Sequence, residues 1–261
     1  VDDRGPADVS PSFCEVFVSV PDRPDGLFLL ELHRPPFGPE VEGLVKKPGR
    51  WTMEDLLKLA PMEQRIYRLR CVEGWSMVIP WVGYSLSELI KQVRQVYGGP
   101  LVYAANWDEV GRVPFWDALD FIGVQFYAPL AEAPDAPDAI LAQRLSGHLD
   151  TIEQVALRTR RPVLFTEVGY KSIRATAVQP HLWPEHLSRS ALEVSDAAQA
   201  QAYRVFFSGI RSRGWVAGVY VWKWFSDPES QEEDATGFSP RGKPAEAVLR
   251  AAFSPAGTSP R

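Results

Sequence analysis

A carboxylate placed where packing has no use for it is the first chemical feature of this chain. Pro162 opens a short run of Val163, Leu164 and Phe165, Thr166-Glu167 interrupts it, and Gly169 lets the backbone leave. An apolar run of this length, bounded by Pro and Gly, suits a strand buried on both faces, as in a parallel sheet. A carboxylate at the C-terminal end of such a strand is costly to bury. In α/β barrels that end is where catalytic groups sit. Glu167 is therefore the leading candidate for chemistry, with an arginine partner or a loop-capping role as the alternatives. Cys71 is the second feature. It follows Arg68 and Arg70, an electropositive setting that lowers a thiol pKa, and thiolate is the ligand a soft transition metal wants. A free, partly buried cysteine is the alternative there.

The elements that must hold Glu167 repeat one pattern. Residues 101–107 and 121–127, the latter closed by Ala128-Pro129, read as short strands with polar or aromatic ends, as do residues 218–224. Helical stretches follow: Ile140 to Arg160, with Leu141, Leu145, Leu149, Ile152 and Leu157 on one side, then Ala197 to Arg211 capped by Asp196, then Pro244 to Phe253. Strands alternating with helices predict βα units and a parallel sheet. Upstream, Ser85 caps a helix to Val96 with positions 86, 89, 90, 93 and 96 on its apolar face. Thr52 caps a helix from Met53 to Leu59. Ile66, Tyr67 and Leu69 suit a strand, with Arg68 and Arg70 alternating outward. Residues 1–40 are Pro-punctuated, and Phe13 to Val20 and Gly26 to His33 read as two short strands. His33 has no second ligand at metal spacing and reads as structural.

Composition narrows the function classes. The 261 residues are 45% hydrophobic and 23% charged, ordinary for a globular protein. A net charge of −5 argues against a nucleic-acid partner, which wants a basic face. No apolar run approaches the ~20 residues of a membrane span, and no charged-then-apolar leader stands at Val1. Two cysteines, Cys14 and Cys71, leave the redox compartment open. Nine tryptophans are numerous enough to furnish flat apolar platforms, although Trp51 and Trp215 read as core.

Four motifs in order carry a resemblance: YGGPLVYAANWDEV (97–110), FWDALDFIGVQFYAPL (115–130), RPVLFTEVGYKS (161–172) and GWVAGVYVWKWF (214–225). Together they resemble strands 5, 6, 7 and 8 of the (β/α)8 barrel of retaining glycoside hydrolases, most closely the family 113 β-mannanase-like enzymes. The resemblance implies that Glu167 is the nucleophile. It further implies that Asn106, Trp107, Tyr127, Tyr170, Trp222 and Trp224 bind a β-linked, mannan-like sugar. No cofactor is implied. His181 and His186, in the long loop from Ser172 to Asp196, then read as loop or sugar-contact residues.

A second resemblance lies upstream. VEGLVKKPGRWTMEDLLKL (41–59) and RIYRLRCVEGWSMVIPWVGYSLSELI (65–90) are similar to the molybdopterin-binding subunit of periplasmic methionine-sulfoxide reductase, of sulfite-oxidase-like fold. That resemblance implies Cys71 as a molybdenum ligand and molybdopterin as cofactor. The expected fold is thus α/β, a partial (β/α)8 barrel of strands 5–8 preceded by a short α+β segment of sulfite-oxidase-like origin. The expected organisation is residues 1–40 unassigned, 41–90 oxidoreductase-like, 91–253 the barrel half and 254–261 a tail, with the join near residues 85–96.

The barrel family places its acid/base Glu directly after an Asn at the end of strand 4, and here the only Asn, Asn106, precedes Trp107. A retaining glycosidase needs two carboxylates, so the resemblance implies impaired hydrolysis; Glu73 and Glu109 are stand-ins without support from spacing. A molybdopterin oxidoreductase fragment and a non-catalytic carbohydrate-binding half-barrel are the alternative functions. Half a barrel exposes two sheet edges, which predicts a homodimer unless the N-terminal strands patch the sheet.

Overall fold

The computed structural model describes residues 61–70, 76–83, 86–182, 187–189, 191–225 and 233–254, the backbone of four short strands before them, and a turn at Lys58. Cys71, Glu73, His186, Trp51, Trp183 and the helix expected from Met53 to Leu59 lie outside the described residues, apart from that turn. The chain forms two compact units, one of residues 1–65 and 81–101, the other of 66–80 and 102–261.

Strands β1 (Glu15–Ser19) and β2 (Leu27–Glu31) pair antiparallel where the sequence predicts two strands. β3 (Glu40–Val41) and β4 (Gly49–Arg50) form a second small ladder. β5 (Glu63–Arg70) and β6 (Ser76–Gly83) make another two-stranded sheet. Ile66 is 72% exposed, so the strand is present but that side chain is not inward. Helix α1 (Leu86–Val96) matches its expected span and buries Ile90.

The second unit holds the parallel sheet. β7 (Val102–Asn106), β8 (Phe121–Phe126), β9 (Val163–Val168) and β10 (Val216–Val221) lie in the order β10-β9-β8-β7, all parallel. Parallel neighbours need crossovers. Helices α2 (Asp138–Thr159) and α3 (Asp196–Ile210) supply two of them, and α4 (Pro244–Phe253) follows β10. Short 3-10 turns at Val110–Arg112 and Trp116–Ala118 replace a helix between β7 and β8. This is an α/β fold with a parallel sheet.

One face of the sheet is cemented to the helices by aromatic rings. Phe126, Phe165 and Phe206 are each 0% exposed, with centroids 5.3–5.5 Å apart, two of the three contacts edge-to-face. Helix α2 turns Leu141, Leu145, Leu149, Ile152, Val155 and Ala156 inward, at steps of three and four. Leu157, expected on that stripe, is 62% exposed, because Ala156 takes the buried position one residue earlier. Helix α3 starts one residue before the expected point. Ser195, not Asp196, is its cap, accepting from the Ala198 amide at 3.2 Å, and Asp196 becomes the first helical residue.

The register of β8 against β9 decides which way Glu167 faces. Val124 pairs Phe165, but Gln125 pairs Glu167, so Thr166 is an extra residue in β9. Side chains alternate along a strand. Val163 and Phe165 are fully buried, Phe165 against the ring of Phe206 from α3; unbroken alternation would send Glu167 to that same face. The bulge moves it to the opposite face, beside Gln125. Val168, opposite Phe126, returns to the buried side at 0% exposure.

Candidate active site

Asn106, Gln125 and Glu167 stand abreast at the C-terminal ends of β7, β8 and β9. Glu167 is half-buried, and each of its oxygens accepts one hydrogen bond from a neutral donor. Gln125 Nε2 donates to Oε1 at 2.7 Å and Tyr127 Oη donates to Oε2 at 2.7 Å. Gln125 and Tyr127 are two apart, hence on one side of their strand. Among the described residues no arginine or lysine pairs with Glu167. The ion-paired alternative for this residue therefore finds no partner there. A carboxylate anchored by one hydrogen bond to each oxygen has lone pairs left over, as a nucleophile requires.

Tyr127 is nearly buried, and the edge of Phe238 meets its ring at 6.3 Å. Burial first, then the charge and the hydrogen bond of Glu167, push its phenol far above the ordinary range. Burial likewise raises Tyr170 and Tyr203. These shifts fix an alkaline prediction. Below about pH 10 the phenols are protonated in both folded and unfolded chains, so their contribution to stability is whole. Above it the unfolded chain sheds protons that the folded chain keeps. Stability then falls by up to about 1.36 kcal/mol per pH unit for each of these tyrosines. Ultraviolet titration should show the three ionising only together with cooperative unfolding. Ionisation of all tyrosines in a still-folded protein would contradict this burial.

The other predicted contacts divide. Trp222 and Trp224, just beyond β10, are 39% and 48% exposed, and the Trp222 amide donates to Val168 O at 2.8 Å. The Trp222–Lys223 peptide is cis. Gly169 is required by this closeness, because an added Cβ would lie 2.5 Å from Trp222 O. Trp107 and Asn106 are half-buried; the Trp107 ring leans edge-on against His148 at 5.0 Å. Tyr170 is a correction. It is 0% exposed and packs edge-to-face on Tyr203 at 5.1 Å, so it presents no surface to a ligand. Its position three residues after Glu167, past the bulge, returns it to the core.

The strand-end pattern in the sequence singles out Tyr127 but not Gln125, although the two-residue spacing between them is a usable signal. Phe238 and Lys171 carry no local signal, because they come together only through the loops. His181 is half-buried near the Tyr127 carbonyl; burial first, then Lys171, lower its pKa. Glu109, a stand-in for the missing acid/base, is exposed and 4.0 Å from Arg112. Glu233 pairs with Lys223 at 3.4 Å and accepts from the Ser239 amide. No group of three or more His, Cys, Asp or Glu able to hold a metal occurs among the described residues. No described helix is long and apolar enough to cross a membrane.

The family model for Glycoside Hydrolase Family 113 matches residues 84–243. Among solved structures, a complex of a GH113 β-1,4-mannanase is 28% identical, with TM-score 0.52, covering 64% of this chain and 50% of that one. The GH113 β-mannanase AaManA from Alicyclobacillus acidocaldarius, solved with ManMIm, is 26% identical, with TM-score 0.50, covering 64% and 49%. This chain therefore spans about half the length of those mannanases. A shorter stretch of the chain is similar to the protein-methionine-sulfoxide reductase catalytic subunit MsrP. The protein of Ralstonia nicotianae is 66% identical over 59 residues, 23% of this chain and 18% of that protein. That of Burkholderia mallei is 48% identical over 79 residues, 30% of this chain and 24% of that protein.

Proposed function

The chain belongs to glycoside hydrolase family 113, and from that membership we propose that it cleaves a β-linked, mannan-like polysaccharide with retention, Glu167 acting as nucleophile. The observation that carries this reading is the carboxylate held by Gln125 and Tyr127 at the sheet's C-terminal rim. A Glu167 oxygen bonds to the anomeric carbon as the glycosidic C–O bond breaks, and the aglycone leaves with the electron pair. Water then releases the sugar from the glycosyl-enzyme. Trp222 and Trp224 supply exposed indole faces for the sugar rings. The four-stranded sheet is, in this reading, strands 5–8 of an eight-stranded barrel.

Protonation of the leaving oxygen is the weak step, because the Asn-Glu pair of the family is absent from the sequence. General-acid help contributes roughly 10²–10⁴-fold. Aryl β-mannosides with acidic phenols need little of it and should be turned over, while mannan is cleaved slowly. Assay of both substrates tests this. A third outcome, saturable binding of mannooligosaccharide with no turnover of either, would favour a carbohydrate-binding role. In either case Trp222→Ala should weaken oligosaccharide binding about tenfold, or about 1.4 kcal/mol, measured by intrinsic fluorescence. Unchanged affinity would remove Trp222 from the cleft.

The identity to the sulfoxide reductase subunit supports a second reading, an oxidoreductase fragment of sulfite-oxidase-like origin with Cys71 toward a molybdopterin. Cys71 lies outside the described residues. Molybdenum analysis of the purified protein decides this; absence of the metal, with none taken up on reconstitution, would remove the reading.

A further inference from the structure

On the premise that Glu167 is the nucleophile, we propose that Lys171 is a positioning residue for it, fixing Tyr127 and the turn at residues 180–182 in the arrangement the carboxylate needs. Lys171 is 2% exposed. Taking an ammonium from water is costly unless its donors are used. Two of the three donors are used in the loop: Nζ donates to Pro180 O at 2.9 Å and to Leu182 O at 2.5 Å. It also sits 4.3 Å from the centroid of the Phe238 ring, within cation–π range.

Phe238 passes this hold on to the site. It is 6% exposed and meets the Tyr127 ring edge-on at 6.3 Å, while Tyr127 donates to Glu167 at 2.7 Å. His181 lies in the turn at residues 180–182, between the two carbonyls that Lys171 binds, and burial first, then the charge of Lys171, lower its pKa. One ammonium thus ties the loop after β9 and the loop after β10 to the residue that hydrogen-bonds the carboxylate. Lys171 acts on Glu167 through Phe238 and Tyr127, so its role is positional.

Lys171→Met in the full chain tests this, since methionine keeps the stem's volume and removes the donors and the charge. Three measurements are read. Carbodiimide modification of carboxylates, followed by mass spectrometry at Glu167, reports whether Tyr127 still covers it. Hydrogen exchange over residues 176–182 reports the turn. Covalent trapping by a dinitrophenyl β-mannoside, fluorinated beside the anomeric carbon, reports the chemistry: Glu167 bonds to that carbon and dinitrophenolate leaves.

The expected result is faster carbodiimide modification of Glu167, faster exchange over the turn, and a saturating trapping rate reduced about tenfold. The half-saturating concentration should stay within about twofold, the pattern of a lost transition-state contact. A lower melting temperature with unchanged Glu167 modification and unchanged trapping rate would overturn the proposal and leave Lys171 merely structural. Wild-type protein that is never trapped would sink the nucleophile reading, while the modification arm still decides whether Lys171 holds Tyr127 over Glu167. If Lys171→Met does not fold, Phe238→Leu breaks the same linkage with the lysine in place and should give the same pattern. Its failure to do so would overturn the proposal equally.

Discussion

Replacing Glu167 by glutamine should abolish both covalent trapping and hydrolysis of an activated aryl β-mannoside. The loss expected is on the order of 10⁴-fold or more, the scale on which removal of a covalent nucleophile acts. The substitution is close to isosteric, so the fold should be indifferent to it. Gln125 and Tyr127 each donate to one carboxylate oxygen at 2.7 Å. In the variant one of them meets the new amide N–H instead, and either the Tyr127 hydroxyl or a flipped Gln125 amide can then accept. Stability should change by no more than a hydrogen bond to a charged group is worth, about 1.5–3 kcal/mol. Mass spectrometry of the trapped wild-type protein should find the sugar on Glu167. Full activity in Glu167→Gln, or label on another carboxylate, would end the assignment.

Phe206→Ala should be the most destabilising single change in the sheet–helix interface, at about 3–5 kcal/mol. Phe206 is 0% exposed and its ring touches Phe126, Phe165 and Phe207 at 5.3–5.4 Å, so truncation leaves a void on three aromatic walls. Domains are stable by only about 5–15 kcal/mol in total, so the urea midpoint should fall steeply or the unit should lose its cooperative transition. A loss under about 1 kcal/mol would mean that α3 does not pack on the sheet as described. The same helix carries Gln199, whose amide donates to Tyr170 O at 2.8 Å and Phe238 O at 2.9 Å. Loosening α3 should therefore reach the rim of the site as well as the core.

Much of this architecture was legible in the chain. The strands at residues 102–106, 121–126 and 163–168 fell inside the apolar runs bounded by Pro, Gly or polar residues. The last strand, Val216–Val221, begins two residues before the expected 218 and stops before Trp222. Trp222 leaves the ladder where its amide turns to Val168 O. Helix expectations erred by one or two residues: α2 begins at Asp138, two before the expected Ile140, and α3 begins at Asp196, one before the expected Ala197. Leu157 follows the apolar spacing of α2 by identity, but the spiral of buried positions passes through Ala156. Tyr170 failed differently: an aromatic near a catalytic strand end looks the same in sequence whether it faces a cleft or a core.

By itself, then, the sequence determined that a parallel α/β unit presents a carboxylate at the end of a buried strand, with aromatic residues at the ends of its neighbours. Apolar runs, glycine and proline positions and helical spacing are local signals, and they suffice for that. Only the tertiary structure decided the face on which Glu167 stands. With Val163 and Phe165 buried toward the helices, alternation alone points Glu167 into the core. The single extra residue, Thr166, turns it out beside Gln125 and Tyr127. A bulge exists only in the pairing of two strands forty residues apart, and no local pattern in either one records it.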